Sequence, residues 1–274
     1  MNQPSPSTPD VDPVADDAVG EPSCNVVVFA LPDDPGRLGD LLVEQLGVHP
    51  TDAHIQAHAV PGLLPGRFTR RQAAELVKGV RQLGVSAEIV EDADIPRLEP
   101  ARTIHHARCT ERGLEIVDLR GRVEPFIPWN EVRLLSVGYV PLETARHSLV
   151  EPAGLVTSGR RTWASSVEVA SLSGPEAWLI CGQAGDAYRI DNNLMNYEYL
   201  GDRMTGSATR NFHLFVEDVV AGAQDAYLTP AIRAFLDHGL LRHFEFRGSE
   251  ELQRYTQFHL LIANRARQAA APQC

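Results

Sequence analysis

The side chains best suited to recognising a partner lie in one short stretch, residues 196–203. Tyr197 and Tyr199 stand two positions apart, and Arg203 follows four residues later. In an extended backbone alternate side chains share one face, so this spacing would present both phenol rings on one side. Tyrosine and arginine are over-represented at binding hot spots, which suggests a partner-binding surface. The alternative, which the pattern favours, is that both rings pack beneath a C-terminal helix with their hydroxyls hydrogen-bonded.

A second candidate for partner binding is the pair Arg160 and Arg161 with Trp163 close by. Residues 141–161 break the strand pattern with proline, glycine and arginine, so we interpret them as a long loop. Loops carry binding residues more often than their scaffolds do. Two guanidinium groups beside an indole ring could hold an anionic group of a partner. The favoured alternative is a solvated pair of charges.

Histidines and cysteines do not form a metal-binding pattern. His105 and His106 are neighbours on a predicted strand and point to opposite faces, so His105 shares its face only with Cys109. His54 and His58 stand at helical spacing but lack the glutamate of an H-E-x-x-H zinc motif. A zinc site needs more ligands in the correct geometry. We therefore predict no metal site.

Motifs for nucleotide chemistry and for nucleophilic catalysis are absent from the sequence. It contains no G-x-G-x-x-G, no G-x-x-x-x-G-K-[ST] and no G-x-S-x-G. We therefore expect no cofactor and assign no catalytic residue. A catalytic triad assembled from distant segments stays open, because such triads are defined by geometry rather than by sequence order.

The composition of the 274 residues, with 43% hydrophobic and 22% charged residues, is typical of a soluble globular protein. The net charge of −11 argues against a nucleic-acid-binding protein, which needs clustered cations. No apolar run is long enough to cross a bilayer, and the first residues lack a secretory signal pattern. The cysteines are scattered without a C-x-x-C pair, which is typical of reduced thiols. We expect a cytoplasmic protein without membrane insertion.

The sequence divides into two compact units flanked by tails. Residues 1–24 hold five prolines and five acidic residues with no lysine or arginine, which predicts a disordered tail. A first unit covers residues 25–96, and a linker over residues 97–102 follows it. The second unit covers residues 103–266, and residues 267–274 form a disordered tail.

Helix and strand signals indicate that the first unit is a small α/β domain. Residues 25–31 form an apolar run of strand length, and Asp34 is a suitable N-cap for the helix that follows. Thr69 and Gln72 form a capping box at the start of another helix. Residues 51–61 could form either a short helix or a strand.

Two sequences in this unit resemble the C-terminal domain of the bacterial ribosomal stalk protein. They are PGLLPGRF over residues 61–68, together with the capped helix after it, and GVSAEIV over residues 84–90. The resemblance implies a three-stranded sheet with helices on one face. The stalk domain's factor-binding helix, Gly-Leu-x-x-Ala-Lys, has no counterpart in residues 51–58. Contact with translation factors is therefore not carried over.

Short strands followed by an amphipathic helix fill most of the second unit. The sequences GLEIVD over residues 113–118 and IPWNEV over residues 127–132 resemble bacterial pleckstrin-homology-like domains. This resemblance covers residues 101–225. It implies a bent antiparallel β-barrel closed by the helix over residues 208–221. A hairpin turn is predicted at residues 173–176, and further helices are predicted over 230–241 and 249–266.

The sequence thus predicts an α+β protein, with a small α/β sandwich followed by a bent antiparallel β-barrel, its closing helix and extra C-terminal helices. The function we expect is non-enzymatic binding or scaffolding of another protein, whose identity the sequence does not reveal. One alternative is a hydrolase-type enzyme with a site assembled from distant segments. A second alternative is a ribosome- or translation-associated factor, which rests on the stalk resemblance.

Overall fold

The computed structural model describes residues 23–98, 100–118, 120–141, 173–182 and 185–270. These residues combine helices and strands in a mixed α+β protein. The chain divides into two compact units between Asp92 and Ala93. Each unit has a hydrophobic core of its own.

The first unit alternates strands and helices around a three-stranded sheet. Its elements are β1 (Cys24–Val28), α1 (Pro35–Leu46), α2 (Pro50–Ala57), β2 (Gly62–Leu63), α3 (Arg70–Gln82) and β3 (Ala87–Glu91). Strand β1 lies at the centre of the sheet and is antiparallel to both β2 and β3. The segment over residues 51–61, for which the sequence left helix and strand open, contains most of α2.

Capping residues start α1 and α3 as the sequence predicts. The Asp34 carboxylate accepts a hydrogen bond from the Gly36 backbone N–H at 3.0 Å. At α3 the Thr69 hydroxyl accepts from the Gln72 N–H, while the Gln72 Oε1 accepts from the Thr69 N–H. Gly47 ends α1 with a φ of 64°, a left-handed conformation that costs glycine little. Both predicted N-caps are confirmed.

The core of the first unit forms between the sheet and the helices. Alternate residues of β1, namely Cys24, Val26 and Val28, are fully buried. They belong to one cluster with Leu38 of α1 and Leu76 of α3. Because side chains alternate along a strand, one face of β1 reaches this cluster, and its burial is the main source of stability for the unit.

The second unit contains two sheets and three α-helices among its described residues. Its strands are β4 (Arg102–Ile104), β5 (Ala107–Cys109), β6 (Gly113–Val117), β7 (Val123–Pro128), β8 (Val132–Pro141), β9 (Ser173–Cys181), β10 (Asp186–Asp191) and β11 (Tyr227–Leu228). Its α-helices are α4 (Ala208–Gly222), α5 (Pro230–Leu236) and α6 (Ser249–Ala270). None of the helices in the described parts of either unit has the length and apolar composition needed to cross a lipid bilayer.

A two-residue break between β4 and β5 lets one segment serve both sheets. The larger sheet has the strand order β11-β8-β9-β10-β4, and the smaller has the order β5-β6-β7. Strand β4 is parallel to β10, whereas β5 is antiparallel to β6. Residues 102–109 therefore contribute one strand to each sheet. Within the part of the chain that the structure describes, neither sheet closes into a barrel.

Helix α4 buries its apolar face in the core of the second unit, as its sequence pattern predicts. Phe212, Phe215, Val216 and Val219 are each at most 1% exposed. Their positions, i, i+3, i+4 and i+7, place them on one side of the helix. They share a core cluster with Leu179 of β9, so α4 packs onto the larger sheet.

Two local predictions for the second unit are wrong. Residues 173–176 do not form a hairpin turn, because they belong to β9 and pair with the end of β8. Continuous pairing with β8 outweighs the turn preference of Gly174 and Pro175, since tertiary context overrides local propensity. The helix predicted over residues 230–241 ends at Leu236, and two residues later His238 adopts a positive φ of 53°.

Candidate functional site

A cleft opens in the second unit where the end of β8, the start of β9 and the end of β10 meet the first turn of α6. Its volume is about 550 Å³. The side chains that line it include Val140, Glu176, Arg189, Leu194, Ser249 and Arg254. We refer to this cavity as the Glu176 cleft. Most of its wall belongs to regular strands and a helix, which hold side chains more precisely than loops do.

Glu176 is a buried carboxyl group at the wall of the cleft. The residue is 2% exposed, and its Oε1 accepts hydrogen bonds from the Ser249 Oγ at 2.5 Å and the Trp178 Nε1 at 2.8 Å. Ser249 lies 73 positions away in the sequence and is brought here by α6. Burial raises the pKa of Glu176, and this effect outweighs the hydrogen bond from Ser249 and the charge of Arg189.

Arg189 lies beside the free oxygen of that carboxyl group. Its Nε is buried and stands 3.5 Å from the Glu176 Oε2, a distance that makes an ion pair without a hydrogen bond. The Arg189 side chain is 33% exposed. Its outer nitrogens, Nη1 and Nη2, have no hydrogen-bond partner within the described residues. The Nε side of the guanidinium thus lies against the buried carboxyl group of Glu176, whereas Nη1 and Nη2 remain available for hydrogen bonds.

The remaining charges of the cleft divide into bound and open groups. The Asp191 carboxylate accepts from the backbone N–H of Asn193 at 2.8 Å, which forms a local turn. The Glu251 carboxylate accepts from the backbone N–H of Arg247 at 2.6 Å. Arg247, Glu250 and Arg254 are exposed at the rim. Of the four carboxyl groups that line the cleft, those of Glu176, Asp191 and Glu251 are therefore already hydrogen-bonded within the protein.

The cleft also has an apolar side. Val140 is 7% exposed and ends the apolar part of β8, whereas Leu194 in the turn after β10 is 52% exposed. A cavity with apolar walls and a few placed polar groups is the usual form of a ligand site. The arrangement can therefore bind a polar group and an apolar group side by side.

The structure places Tyr197 in the core rather than on a recognition surface. The segment is not extended, because Glu198–Arg203 form 3₁₀ turns with a kink at Gly201, so the common face that an extended backbone would give Tyr197 and Tyr199 does not form. Tyr197 is 6% exposed and its hydroxyl donates to the Asn192 Oδ1 at 3.0 Å. Burial raises the pKa of Tyr197. A ring in this position presents no surface to a partner in this structure.

Tyr199 and Arg203 meet at an acid that the sequence analysis did not select. The Tyr199 hydroxyl donates to the Asp218 Oδ2 at 2.9 Å, and Arg203 donates to both oxygens at 2.9 and 2.6 Å. The Tyr199 ring also meets the Phe215 ring edge-on at 6.2 Å. We refer to this group as the Asp218 cluster. Burial acts to raise the pKa of Asp218, but the bonds from Arg203 and Tyr199 outweigh it and leave the pKa below its ordinary value.

Cys109 lies against the Asp218 cluster with a thiol that burial makes unreactive. Burial raises the pKa of Cys109 to about 12, against a smaller opposing effect of a hydrogen bond with Tyr199. Nucleophilic and metal-binding chemistry both require the thiolate, which this pKa disfavours at neutral pH. Cys109 therefore fills space beside the cluster. The other predicted partner-binding residues, Arg160, Arg161 and Trp163, lie outside the described residues.

The histidines that the sequence pairs as metal candidates have structural positions. The described parts of the chain contain no group of three or more His, Cys, Asp or Glu residues arranged to hold a metal ion. His54 of α2 packs against Gly39 of α1, where a Cβ atom would stand 2.5 Å from the imidazole Nδ1. His106 forms an isolated bridge with Asn196.

Sequence reasoning missed the three residues that build the Glu176 cleft. The sequence pattern places Glu176 in a predicted turn, although this residue directly precedes the apolar run of residues 177–181. An acid inside a buried strand must be paired or hydrogen-bonded, and this requirement was the available signal. Arg189 and Ser249 give no signal in the sequence, because their approach to Glu176 depends on tertiary structure.

Comparison with known proteins adds no relative, since no protein-family model, no curated protein and no solved structure matches this chain.

Proposed function

We propose that this chain is a non-enzymatic binding protein that engages another protein through the Glu176 cleft. The observation that carries the proposal is the pair of Glu176 and Arg189, in which a buried acid holds an arginine whose outer nitrogens are open. Burying a carboxyl group costs free energy unless it is well paired. At Glu176 the pairing is incomplete, which is typical of positions kept for function rather than for stability.

The composition of the cleft supports a protein ligand. An exposed leucine, Leu194, stands beside charged groups at the rim, and Arg189 and Arg254 offer guanidinium groups. Arginine is enriched at the energetic centres of protein interfaces, because it combines an apolar stem with several donors. A segment of a partner chain can use both the apolar and the charged side of such a cleft.

The finer fold assignments belong to this proposal as well. The order β1-α1-α2-β2-α3-β3 and the antiparallel sheet β2-β1-β3 support a stalk-like α/β sandwich for the first unit. The segment shared by both sheets and the buried face of α4 support a bent, pleckstrin-homology-like barrel for the second. Both are folds on which many functions occur, so the site and not the fold carries the function. We place the protein in the cytoplasm, which the thiols of Cys109 and Cys181 support, since neither forms a disulfide.

A hydrolase is the second candidate, and one contact favours it. The Ser249 hydroxyl donates to the Glu176 carboxyl group at 2.5 Å, so a nucleophile and a base with a raised pKa stand together. A fluorophosphonate probe tests this alternative directly. Labelling that disappears in Ser249→Ala would establish the enzyme, whereas equal labelling of both proteins would contradict the hydrolase.

The translation-associated alternative predicts co-sedimentation of the protein with ribosomes at low salt. Protein that stays entirely in the supernatant would contradict this alternative.

Photo-crosslinking from inside the cleft tests the binding proposal. A benzophenone amino acid replaces Leu194, which is exposed in the cleft, and the full chain is irradiated in the cells that make it. The matched control carries the same group at Leu240, which is 58% exposed on the turn after α5. We expect one covalent protein adduct from position 194 and none of that mass from position 240. Identical adducts from both positions, or none from either, would contradict a partner at the cleft.

A further inference from the structure

We propose that the Glu176 cleft binds a carboxylate group of the partner on the outer end of the Arg189 guanidinium. This inference rests on the proposed function and names the chemical group that the cleft receives. Its source is an acidic side chain of the bound segment or the C-terminal carboxylate of that segment, which share the same chemistry.

The orientation of Arg189 is set by Glu176. Its Nε stands 3.5 Å from the Glu176 Oε2, so the charge attraction holds one side of the guanidinium against the wall. A guanidinium is planar and carries five N–H donors, and Nη1 and Nη2 together match the two oxygens of a carboxylate. Glu176 is thus a positioning residue, and Arg189 is the group that contacts the ligand.

The Glu176 carboxyl group is itself held in place by hydrogen bonds. Its Oε1 is occupied by the Ser249 hydroxyl and the Trp178 indole, which fix the plane of the carboxyl group. A carboxyl group that is fixed in this way restricts the rotamers of Arg189. Less side-chain entropy is then lost when a ligand binds, and this is the usual benefit of a pre-organised site.

The other charges around Arg189 also affect the ligand. The carboxylates of Asp191 and Glu251 accept hydrogen bonds from backbone N–H groups in their own turns. Arg247 and Arg254, both exposed at the rim, add two further cations, whereas Glu250 places a like charge near an incoming carboxylate. Removing the charge of Glu250 should therefore strengthen binding, which is the opposite of what a site for a cationic ligand would show.

The apolar side of the cleft affects the ligand as well. Val140 and Leu194 line the same cavity as Arg189, and Leu194 has more than half of its surface in solvent. Covering this leucine on binding would be favourable. The segment that fits best therefore carries an apolar residue next to its acid.

Three short peptides with leucines beside the central position provide the probes. The first has a central glutamate and blocked ends, the second has glutamine there and blocked ends, and the third has glutamine with a free C-terminal carboxylate. Binding to the isotope-labelled full chain is followed through the indole N–H signal of Trp178, assigned with Trp178→Phe. We expect a saturable shift with the first or the third peptide and none with the second. Equal shifts with all three, or with none, would overturn the inference.

Variants locate the carboxylate at Arg189. Arg189→Gln should weaken binding by about tenfold or more, since it removes a charge-assisted contact, and Arg254→Gln should weaken it by only about twofold. Glu250→Gln should strengthen binding about twofold by removing a like charge. Unchanged binding in Arg189→Gln, or weaker binding in Glu250→Gln, would contradict the assignment.

The positioning role of Glu176 has a separate readout. In Glu176→Gln the amide oxygen can still accept from Ser249 and Trp178, so the wall is kept while the charge that orients Arg189 is lost. We expect the Nε–H signal of Arg189 to move and the peptide affinity to fall about threefold, between the effects of the two arginine variants. An unmoved signal would mean that Glu176 does not orient Arg189.

The crosslinking experiment separates this inference from the proposed function. With the benzophenone group at position 194, the partner adduct should be reduced when Arg189→Gln is added. An adduct of undiminished yield in that double variant would keep the binding protein and overturn the carboxylate. No adduct in either protein would overturn the proposed function, whatever the peptides show.

Discussion

At Asp218 and at Glu176 the second unit places a carboxyl group beside an arginine and a hydroxyl, and the two arginines are used differently. Arg203 donates to both oxygens of Asp218, and Tyr199 donates to one of them. Arg189 approaches Glu176 only through a non-hydrogen-bonded Nε at 3.5 Å. The first arrangement is closed within the protein, whereas the second has unused donors that face a cleft.

The two carboxyl groups respond to these surroundings in opposite ways. The pKa of Asp218 lies below its ordinary value, because the bonds to Arg203 and Tyr199 exceed the cost of burial. The pKa of Glu176 lies above its ordinary value, because burial exceeds the help of Ser249 and Arg189. The same three kinds of side chain therefore make a stabilising pair in one place and a costly, partly satisfied pair in another.

The largest effect we expect comes from removing the ring beneath the Asp218 cluster. Phe215 is 1% exposed and meets the Tyr199 ring edge-on. Phe215→Ala should lower the free energy of unfolding of the second unit by about 3–5 kcal/mol, through lost burial and a cavity. Urea unfolding followed by tryptophan fluorescence measures it, because residues 1–92 contain no tryptophan and the signal therefore reports on the second unit. A loss below about 1 kcal/mol would mean that α4 does not depend on this face.

Protonation of the buried His259 also changes stability at low pH, so it must be measured before Asp218 and Glu176 are compared there. Burial lowers the pKa of His259 to about 4, and its Nδ1 stands 3.1 Å from the Tyr227 hydroxyl. Between about pH 6.5 and pH 4 the imidazole is therefore protonated in the unfolded chain but neutral in the folded one. The free energy of unfolding falls as the pH drops through this range, by about 3 kcal/mol in all. His259→Gln should remove most of this acid loss while Tyr227→Phe keeps it. An unchanged pH profile in His259→Gln would contradict the buried neutral imidazole.

Local signals were enough to predict several elements that rest on contacts between near neighbours. The Asp34 and Thr69 caps and the apolar face of α4 follow from spacing within a single helix, and the structure has all of them. The turn predicted at residues 173–176 failed for the converse reason, because the pairing of β9 with β8 decides its conformation. Propensity predicts what a segment does alone, and tertiary pairing can override it.

The candidate sites show the same limit. Tyr199 and Arg203 were selected by residue type, but Asp218, which joins them, lies 15 positions beyond Arg203 on another helix. Ser249 reaches Glu176 across 73 positions. No periodicity or motif encodes such an approach, since it results from the packing of α6 onto the sheet. The residue types could therefore be proposed from the sequence, whereas their partners could not.

A smaller effect tests whether the Asp218 cluster is closed and stabilising. Asp218→Asn should cost about 1–2 kcal/mol at neutral pH, because Arg203 loses its charged partner. A folded pKa below the ordinary value makes this contribution present above about pH 4 and lost as the pH falls through the folded pKa, so the variant and the parent should converge in acid. The comparison is made in a His259→Gln background.

Asp118→Asn is the matched control for that prediction. Asp118 also accepts from an arginine, Arg122, at 2.8 Å, but this partner stands only four positions away in the same turn and its side chain is 60% exposed. An exposed ion pair contributes little, so this variant should unfold with nearly the parent's free energy. Equal losses in Asp118→Asn and Asp218→Asn would mean that closure of the Asp218 cluster adds nothing.

The smallest change at neutral pH should occur at Glu176, with the opposite dependence on pH. Because the folded pKa is raised, the folded state binds the proton more tightly than the unfolded chain, and the parent loses stability as the pH rises above about 4.3. Glu176→Gln should change the free energy of unfolding by less than about 1 kcal/mol and should become relatively more stable as the pH rises. Unfolding curves of variant and parent at a series of pH values measure this difference. If Glu176→Gln instead became less stable relative to the parent as the pH rises, as expected for Asp218→Asn, Glu176 and Arg189 would form a stabilising ion pair. Arg189 would then not be available to bind a ligand.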